Sequence, residues 1–268
     1  MQEYPNPPVL LDFSALLKAC QTAKHILLCS DYDGTLVPLK EDPRQCLLSD
    51  HLGKILSHLA GHDKLRVVIV SGRSMQDLRS LMTVPGIGLV ANHGLEIDMD
   101  GLSFIHPLAN RYASVFQQWC SELTGRLAPF PGVWVEDKGL SLTIHFRQLC
   151  PSIYTNFALI IDQITRELKT QDLVVVRPGK KVFELRPNYA WDKGSAVESI
   201  VRKFYGAQSA VLRIYFGDDQ TDEDVFDIWS DAWTIHVGKK SSATLANFYL
   251  PSFDNVTSVL SALSTALI

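Results

Sequence analysis

The sequence predicts an α/β fold in which a core built on a parallel sheet carries a smaller α+β domain inserted in its middle. Three observations carry this expectation. At both ends of the 268-residue chain, short and largely apolar runs alternate with helical periods, the pattern of parallel strands joined by crossover helices. In the middle third, apolar and polar residues alternate with the period of two that marks a sheet with one wet face. Two aspartate-rich segments each follow an apolar run directly, where the C-terminal edge of a parallel sheet places its functional loops.

Residues 25–30, 66–71, 88–91, 212–216 and 232–237 are apolar enough to be strands covered on both faces. Helices over 49–60, 75–81, 193–204, 221–229 and 256–267 lie between or after them. The middle differs: 133–138, 141–147 and 181–186 alternate, and 173–177 is a more uniformly apolar fourth strand. Parity puts Leu142, Ile144 and Phe146 on one face and Ser141, Thr143, His145 and Arg147 on the other. Trp134, Glu136 and Lys138 share a side, as do Glu184 and Arg186. Helices over 109–127 and 152–168 are available to cover the apolar face. The expected division is a core of 1–105 and 188–268 and an inserted domain of 106–187.

Composition narrows the function. Hydrophobic residues make up 46% and charged residues 20%, with 16 Gly and 13 Pro, so a disordered, collagenous or low-complexity chain is excluded. With 25 basic against 29 acidic residues the net charge is −4, which offers no positive field to a nucleic acid backbone. No apolar run approaches the roughly 18 residues of a membrane span. Residues 1–6 lack a basic start and Asp12 and Lys18 break 9–20, so no secretory signal and no membrane partner are expected. The five cysteines, Cys20, Cys29, Cys46, Cys120 and Cys150, form no CxxC pair. They read as reduced thiols of a cytoplasmic protein, a regulatory disulfide being the alternative.

Asp31-Tyr32-Asp33-Gly34-Thr35-Leu36 follows the first long apolar run. Carboxylates at i and i+2 leaving a strand can serve one substrate as nucleophile and as acid/base; a plain Asp/Gly turn is the alternative. At about 4 Å and an effective dielectric near 20, two like charges repel by about 4 kcal/mol, so a bound cation or a raised pKa must relieve them. Gly217-Asp218-Asp219-Gln220-Thr221-Asp222-Glu223-Asp224 has five acidic residues of eight, again after an apolar run. Helix capping would use one or two of them, whereas hard oxygen coordination of Mg²⁺ suits the cluster better. Ser71-Gly72-Arg73 and Lys193-Gly194 add a hydroxyl and a cation at further strand and helix ends.

In this order and spacing the four segments resemble the haloacid dehalogenase superfamily of phosphatases, which implies a Rossmann-like core with an inserted cap domain. Within the chain the resemblance narrows. Asn92-His93-Gly94-Leu95-Glu96, Val135-Glu136-Asp137-Lys138-Gly139, Ser141-Leu142 through His145-Phe146-Arg147, and Gly179 through Pro187 look like the trehalose-6-phosphate phosphatase family, whose usual His-Tyr-Arg stands here as His-Phe-Arg.

The resemblance implies Mg²⁺-dependent hydrolysis of trehalose 6-phosphate through an aspartyl-phosphate. Asp31 would be the nucleophile, Asp33 the acid/base, and Ser71 and Lys193 would bind the phosphoryl oxygens. Asp31, the Asp33 backbone carbonyl and Asp218 would hold the metal, with Asp219 behind them and Asp222 supporting Lys193 or the metal shell. Gly72, Arg73, His93 and Gly94 would touch the substrate, and Glu136, Lys138 and Glu184 would read its sugar, His145 and Arg147 sharing their face by parity. The implied partner is a phosphorylated disaccharide, met by a monomer, with association with the synthase of the pathway left open.

Phosphatases of sucrose phosphate, glucosylglycerol phosphate or mannosyl-phosphoglycerate and a phosphomannomutase share much of this pattern. So does a phosphosugar sensor or a regulatory subunit without catalysis. Intact Asp31, Asp33, Lys193 and Asp218 favour an enzyme, because a binder has no need of a nucleophile.

Overall fold

The computed structural model describes residues 7–40, 42–170, 172–206, 210–240 and 243–267. In chain order its elements are β1 (Val9–Leu10), α1 (Phe13–Thr22), β2 (His25–Ser30), α2 (Asp50–Ala60), β3 (Leu65–Val70), α3 (Met75–Leu81), β4 (Gly88–Ala91), β5 (Glu96–Met99) and β6 (Leu102–Ile105). There follow α4 (Pro107–Leu127), β7 (Trp134–Asp137), β8 (Leu142–His145), α5 (Tyr154–Thr170), β9 (Val174–Gly179) and β10 (Val182–Pro187). The chain closes with α6 (Lys193–Tyr205), β11 (Val211–Gly217), α7 (Glu223–Ile228), β12 (Trp233–Val237), β13 (Phe248–Leu250) and α8 (Phe253–Ala266). Two compact units result, Met1–Phe104 with Trp191–Ile268, and Ile105–Ala190.

The first unit holds a nine-stranded sheet in the order β1-β13-β12-β11-β2-β3-β4-β5-β6. Pairing is parallel from β1 to β4, and β5 runs antiparallel to β4. The uniform apolar runs have a direct cause. In β2, Ile26 and Leu28 join one core with Leu16 of α1, Leu56 of α2 and Val259 of α8, while Leu27 and Cys29 join another with Val197 of α6 and Phe226 of α7. Each successive side chain enters an apolar layer, so alternation vanishes. Side-chain caps set the helix starts: Asp12 accepts from the Ser14 amide at 2.9 Å, Ser49 from Leu52 at 3.2 Å and Asp192 from Ser195 at 2.7 Å.

The second unit is an antiparallel sheet in the order β7-β8-β10-β9. Phe116 and Leu123 of α4 and Phe157, Ile161 and Ile164 of α5 pack with Leu142, Ile144 and Leu185 on one side of it. The other side departs from the expected wet face at the central strand, where Ser141 and Thr143 are buried. Thr143 lies in register between Glu136 of β7 and Glu184 of β10, so long side chains flank it on both sides. All five cysteines are free thiols. Among the described residues, no helix is long and apolar enough to cross a membrane.

Candidate active site

Asp31 leaves β2 with its amide still paired to the Phe216 carbonyl of β11 at 2.8 Å, so the sheet itself fixes its position. The chain then turns tightly, the Leu36 and Val37 amides donating to the Tyr32 carbonyl at 3.0 and 3.1 Å and the Gly34 amide to Val37 at 2.8 Å. Gly34 has φ +92°, and a Cβ there would stand 2.3 Å from an Asp218 carboxylate oxygen. Only glycine admits both the backbone and the close approach of Asp218 to the loop.

Lys193, the first residue of α6, is fully buried, and its Nζ donates to Asp31 Oδ1 at 2.7 Å and to Asp222 Oδ1 at 2.8 Å. Asp222 is 0% exposed and takes three further donors: the Tyr215 hydroxyl at 2.8 Å and the Asp218 and Asp219 amides at 3.0 Å each. Burial, and behind it the Asp222 and Asp218 charges, hold the Asp31 carboxyl well above the usual carboxylate range despite the nearby ammonium. For Lys193 burial is the largest single influence and acts downward, but Asp222 and Asp31 together outweigh it and leave the ammonium above its ordinary value.

Carboxylate oxygens of Asp31, Asp218 and Asp222 lie within 4.8 Å of one another, a donor set of hard oxygens suited to a divalent cation. Among the described residues, Asp33 and Asp219 stand outside this group. The Asp219 carboxylate instead accepts from the Gln220 amide at 2.6 Å.

Asp33 is gripped by Arg73, whose Nε and Nη2 donate to its two oxygens at 2.6 and 2.7 Å. Arg73 is itself buried and also donates to Asp77 at 2.5 Å and to the Pro43 carbonyl at 2.7 Å. The sequence put Arg73 on the substrate; the structure engages its guanidinium with two carboxylates and a carbonyl. Asp77, four residues on from Arg73 on α3, and Tyr215 escaped the sequence reading. Their signals were the i,i+4 spacing to an arginine and a hydroxyl two residues before Gly217 in an apolar run.

Ser71, Gly72, His93 and Gly94 do come together. The His93 amide donates to the Ser71 carbonyl at 3.0 Å and the Asn92 amide to Arg73 at 2.7 Å, zipping the loops after β3 and β4. A Cβ on Gly72 would stand 2.2 Å from the His93 ring, so this contact too requires glycine. Gly94 offers its carbonyl to Trp191 Nε1 at 2.8 Å.

In the second unit, the face free of α4 and α5 gathers Trp134, Glu136, His145 and Glu184. His145 Nε2 donates to Glu136 Oε2 at 2.8 Å and its ring stacks on Trp134, with centroids 3.8 Å apart and planes 4° from parallel. Arg186 pairs with Glu184. Lys138 is half-buried beside them in sequence, its amide bonded to the Ser141 carbonyl at 3.0 Å. Arg147 is placed elsewhere: it is exposed and donates to the Lys180 carbonyl at 2.9 Å, because β8 ends at His145 and the chain turns before parity can place it.

A family model described as trehalose-phosphatase matches residues 29–252. A probable trehalose-phosphate phosphatase C of Arabidopsis thaliana is 29% identical over 256 residues, covering 91% of this chain and 78% of the relative. A trehalose-phosphate phosphatase of Mycobacterium bovis is 34% identical over 200 residues, 74% of this chain and 50% of that one. The structure of the C. albicans trehalose-6-phosphate phosphatase C-terminal domain overlays with a TM-score of 0.85 at 26% identity, covering 97% of this chain and 99% of that one. The α/β class read from the sequence therefore stands. The matched span runs from before Asp31 to beyond Asp222 and takes in the whole second unit, and on that footing the chain belongs to the trehalose-phosphatase family and is a phosphoric monoester hydrolase.

Proposed function

We propose that the chain hydrolyses trehalose 6-phosphate to trehalose and inorganic phosphate in two displacements on phosphorus, with Asp31 as the covalent carrier. The observation that carries this reading is the buried Lys193 joined to both Asp31 and Asp222 beside Asp218. Asp31 attacks phosphorus, the bond to the sugar oxygen breaks, and Asp33 gives that oxygen its proton. Asp33 then takes a proton from the incoming water, which attacks the aspartyl-phosphate and frees Asp31 with phosphate. Lys193 orients Asp31 and places a fixed positive charge where phosphoryl oxygens gather charge, and Ser71 adds a hydroxyl donor at the neighbouring strand end.

The acidic set fits Mg²⁺, because burial and like charge hold the Asp31 carboxyl high and a cation relieves both. Asp31 and Asp218 would hold the ion, with the Asp33 carbonyl as a further oxygen. When bound it neutralises the phosphate charge and keeps Asp31 ionised. Asp222, although near enough, already accepts from Lys193, Tyr215 and two amides; it acts through Lys193. Asp219 plays no direct part.

In the second unit, Glu136, Lys138 and Glu184 would hydrogen-bond sugar hydroxyls, with His145 behind them on the same face. The supporting features are the common sheet face of Glu136 and Glu184, the place of Lys138 directly after β7, and the names of the relatives. Phosphate release from a panel of sugar phosphates, with and without Mg²⁺, tests the proposal. Trehalose 6-phosphate should exceed sucrose 6-phosphate and glucose 6-phosphate in kcat/KM by about tenfold or more, as expected when a site loses hydrogen-bond partners in the wrong substrate. Equal turnover across the panel, or phosphate transfer between sugars, would overturn it.

A further inference from the structure

Trp134 is an unusual residue for the place it occupies. It sits on β7, the edge strand of the second unit's sheet, on the side that α4 and α5 leave open, and it is 48% exposed. One face of its indole is nonetheless filled: the His145 ring lies flat against it at 3.8 Å, directly across the strand pair in register. His145 is in turn tied through Nε2 to Glu136, two residues from Trp134 on the same face of β7. The indole is thus backed by a ring that a carboxylate holds, which fixes its plane and leaves its second face toward solvent. An exposed aromatic with a defined plane and a carboxylate, Glu136, two residues along the same face suits an amphipathic ligand that offers C–H groups on one side and hydroxyls at its rim.

A pyranose ring has that chemistry. Its axial C–H bonds present a weakly positive surface to the negative face of an indole, and its equatorial hydroxyls reach sideways to groups such as Glu136. The cross-strand row Glu136, Thr143, Glu184 continues the polar rim from the platform. We infer that Trp134 is a stacking platform for a pyranose ring of the sugar phosphate and so a specificity-determining residue, with His145 as the positioning residue that fixes its plane. This rests on the sugar phosphatase reading above.

The test compares wild type with Trp134→Ala and Trp134→Phe on trehalose 6-phosphate and on p-nitrophenyl phosphate, an ester with no sugar ring. The ratio of kcat/KM for the sugar ester to that for the aryl ester should fall about tenfold in the alanine variant, through KM, and recover in the phenylalanine variant. Trehalose itself, added to wild type, should shift the tryptophan emission, and Trp134→Phe should remove that shift. An unchanged ratio in an alanine variant of an active enzyme overturns the inference alone, and an equal loss on both esters does so too, marking a structural role. A wild type that releases no phosphate from trehalose 6-phosphate but cleaves the aryl ester overturns the sugar phosphatase reading, and the inference with it.

Discussion

Arg73 shows what a single residue identity leaves undetermined. Its place in Ser71-Gly72-Arg73 made it a candidate for substrate contact, but the side chain reaches back across the loop to both oxygens of Asp33, with Asp77 and the Pro43 carbonyl completing its donors. The proton carrier of the proposed reaction is therefore positioned by a planar fork, which a lysine cannot reproduce. Arg73→Ala should lower kcat on trehalose 6-phosphate by about a hundredfold with little change in KM, the order expected for misplacing an acid/base group, and Arg73→Lys should recover only part of it. Steady-state kinetics on the two variants checks this; a change confined to KM would return Arg73 to substrate binding. The residue types at Asp31, Gly34 and Lys193 were legible because each has a local cause: a strand end, a positive φ and a helix start. The pairing of Arg73 with Asp33 was not, because it joins loops 40 residues apart in the chain.

At the level of elements, the acidic segment between β11 and α7 divides into residues of different work. Asp222 is buried and receives Lys193 of α6, the Tyr215 hydroxyl of β11 and two amides of its own loop, so one carboxylate ties two elements and a turn together. Removing it leaves buried donors unanswered. Asp222→Ala should destabilise the fold by about 3–5 kcal/mol, the usual cost of breaking a buried charge pair, while Asp219→Ala, at a partly exposed carboxylate, should fall within about 0.5 kcal/mol of wild type. Urea unfolding of both variants reads this directly, and equal effects would contradict the division. The sequence shows the cluster but not its division, since burial decides which carboxylate is a hub and which a surface group. The same limit holds for the short elements: β1 has two residues and β13 three, too few for any period to register. The long strands were legible because packing on both faces, as at β2, leaves a continuous apolar run.

For the whole molecule, the net charge of −4 conceals an uneven distribution, with Asp31, Asp218 and Asp222 crowded within 4.8 Å. The parity of the middle third gave the face that carries Glu136, His145 and Glu184, but not the burial of Thr143 between two glutamates or the turn that diverts Arg147, both of which depend on neighbouring strands. Burial, with this crowding behind it, sets a pH dependence. The Asp31 carboxyl lies above its ordinary value, so without a cation its contribution to stability is full below the unfolded value of about 3.9 and is lost as pH rises through the higher folded value. Mg²⁺ should therefore raise Tm at pH 7 by about 5 °C at a hundredfold excess over its Kd, and by less at pH 4. A Tm indifferent to Mg²⁺ at pH 7 would contradict a metal at these carboxylates. The most direct test of the central claim is the fate of phosphate on Asp31. Acid-quenching the enzyme during turnover of ³²P-labelled trehalose 6-phosphate should trap label on the Asp31 peptide, and Asp31→Asn should trap none and release phosphate at least about 10⁴-fold more slowly with its fold intact. Label absent from Asp31 in wild type, or an asparagine variant within tenfold of wild-type turnover, would contradict the account.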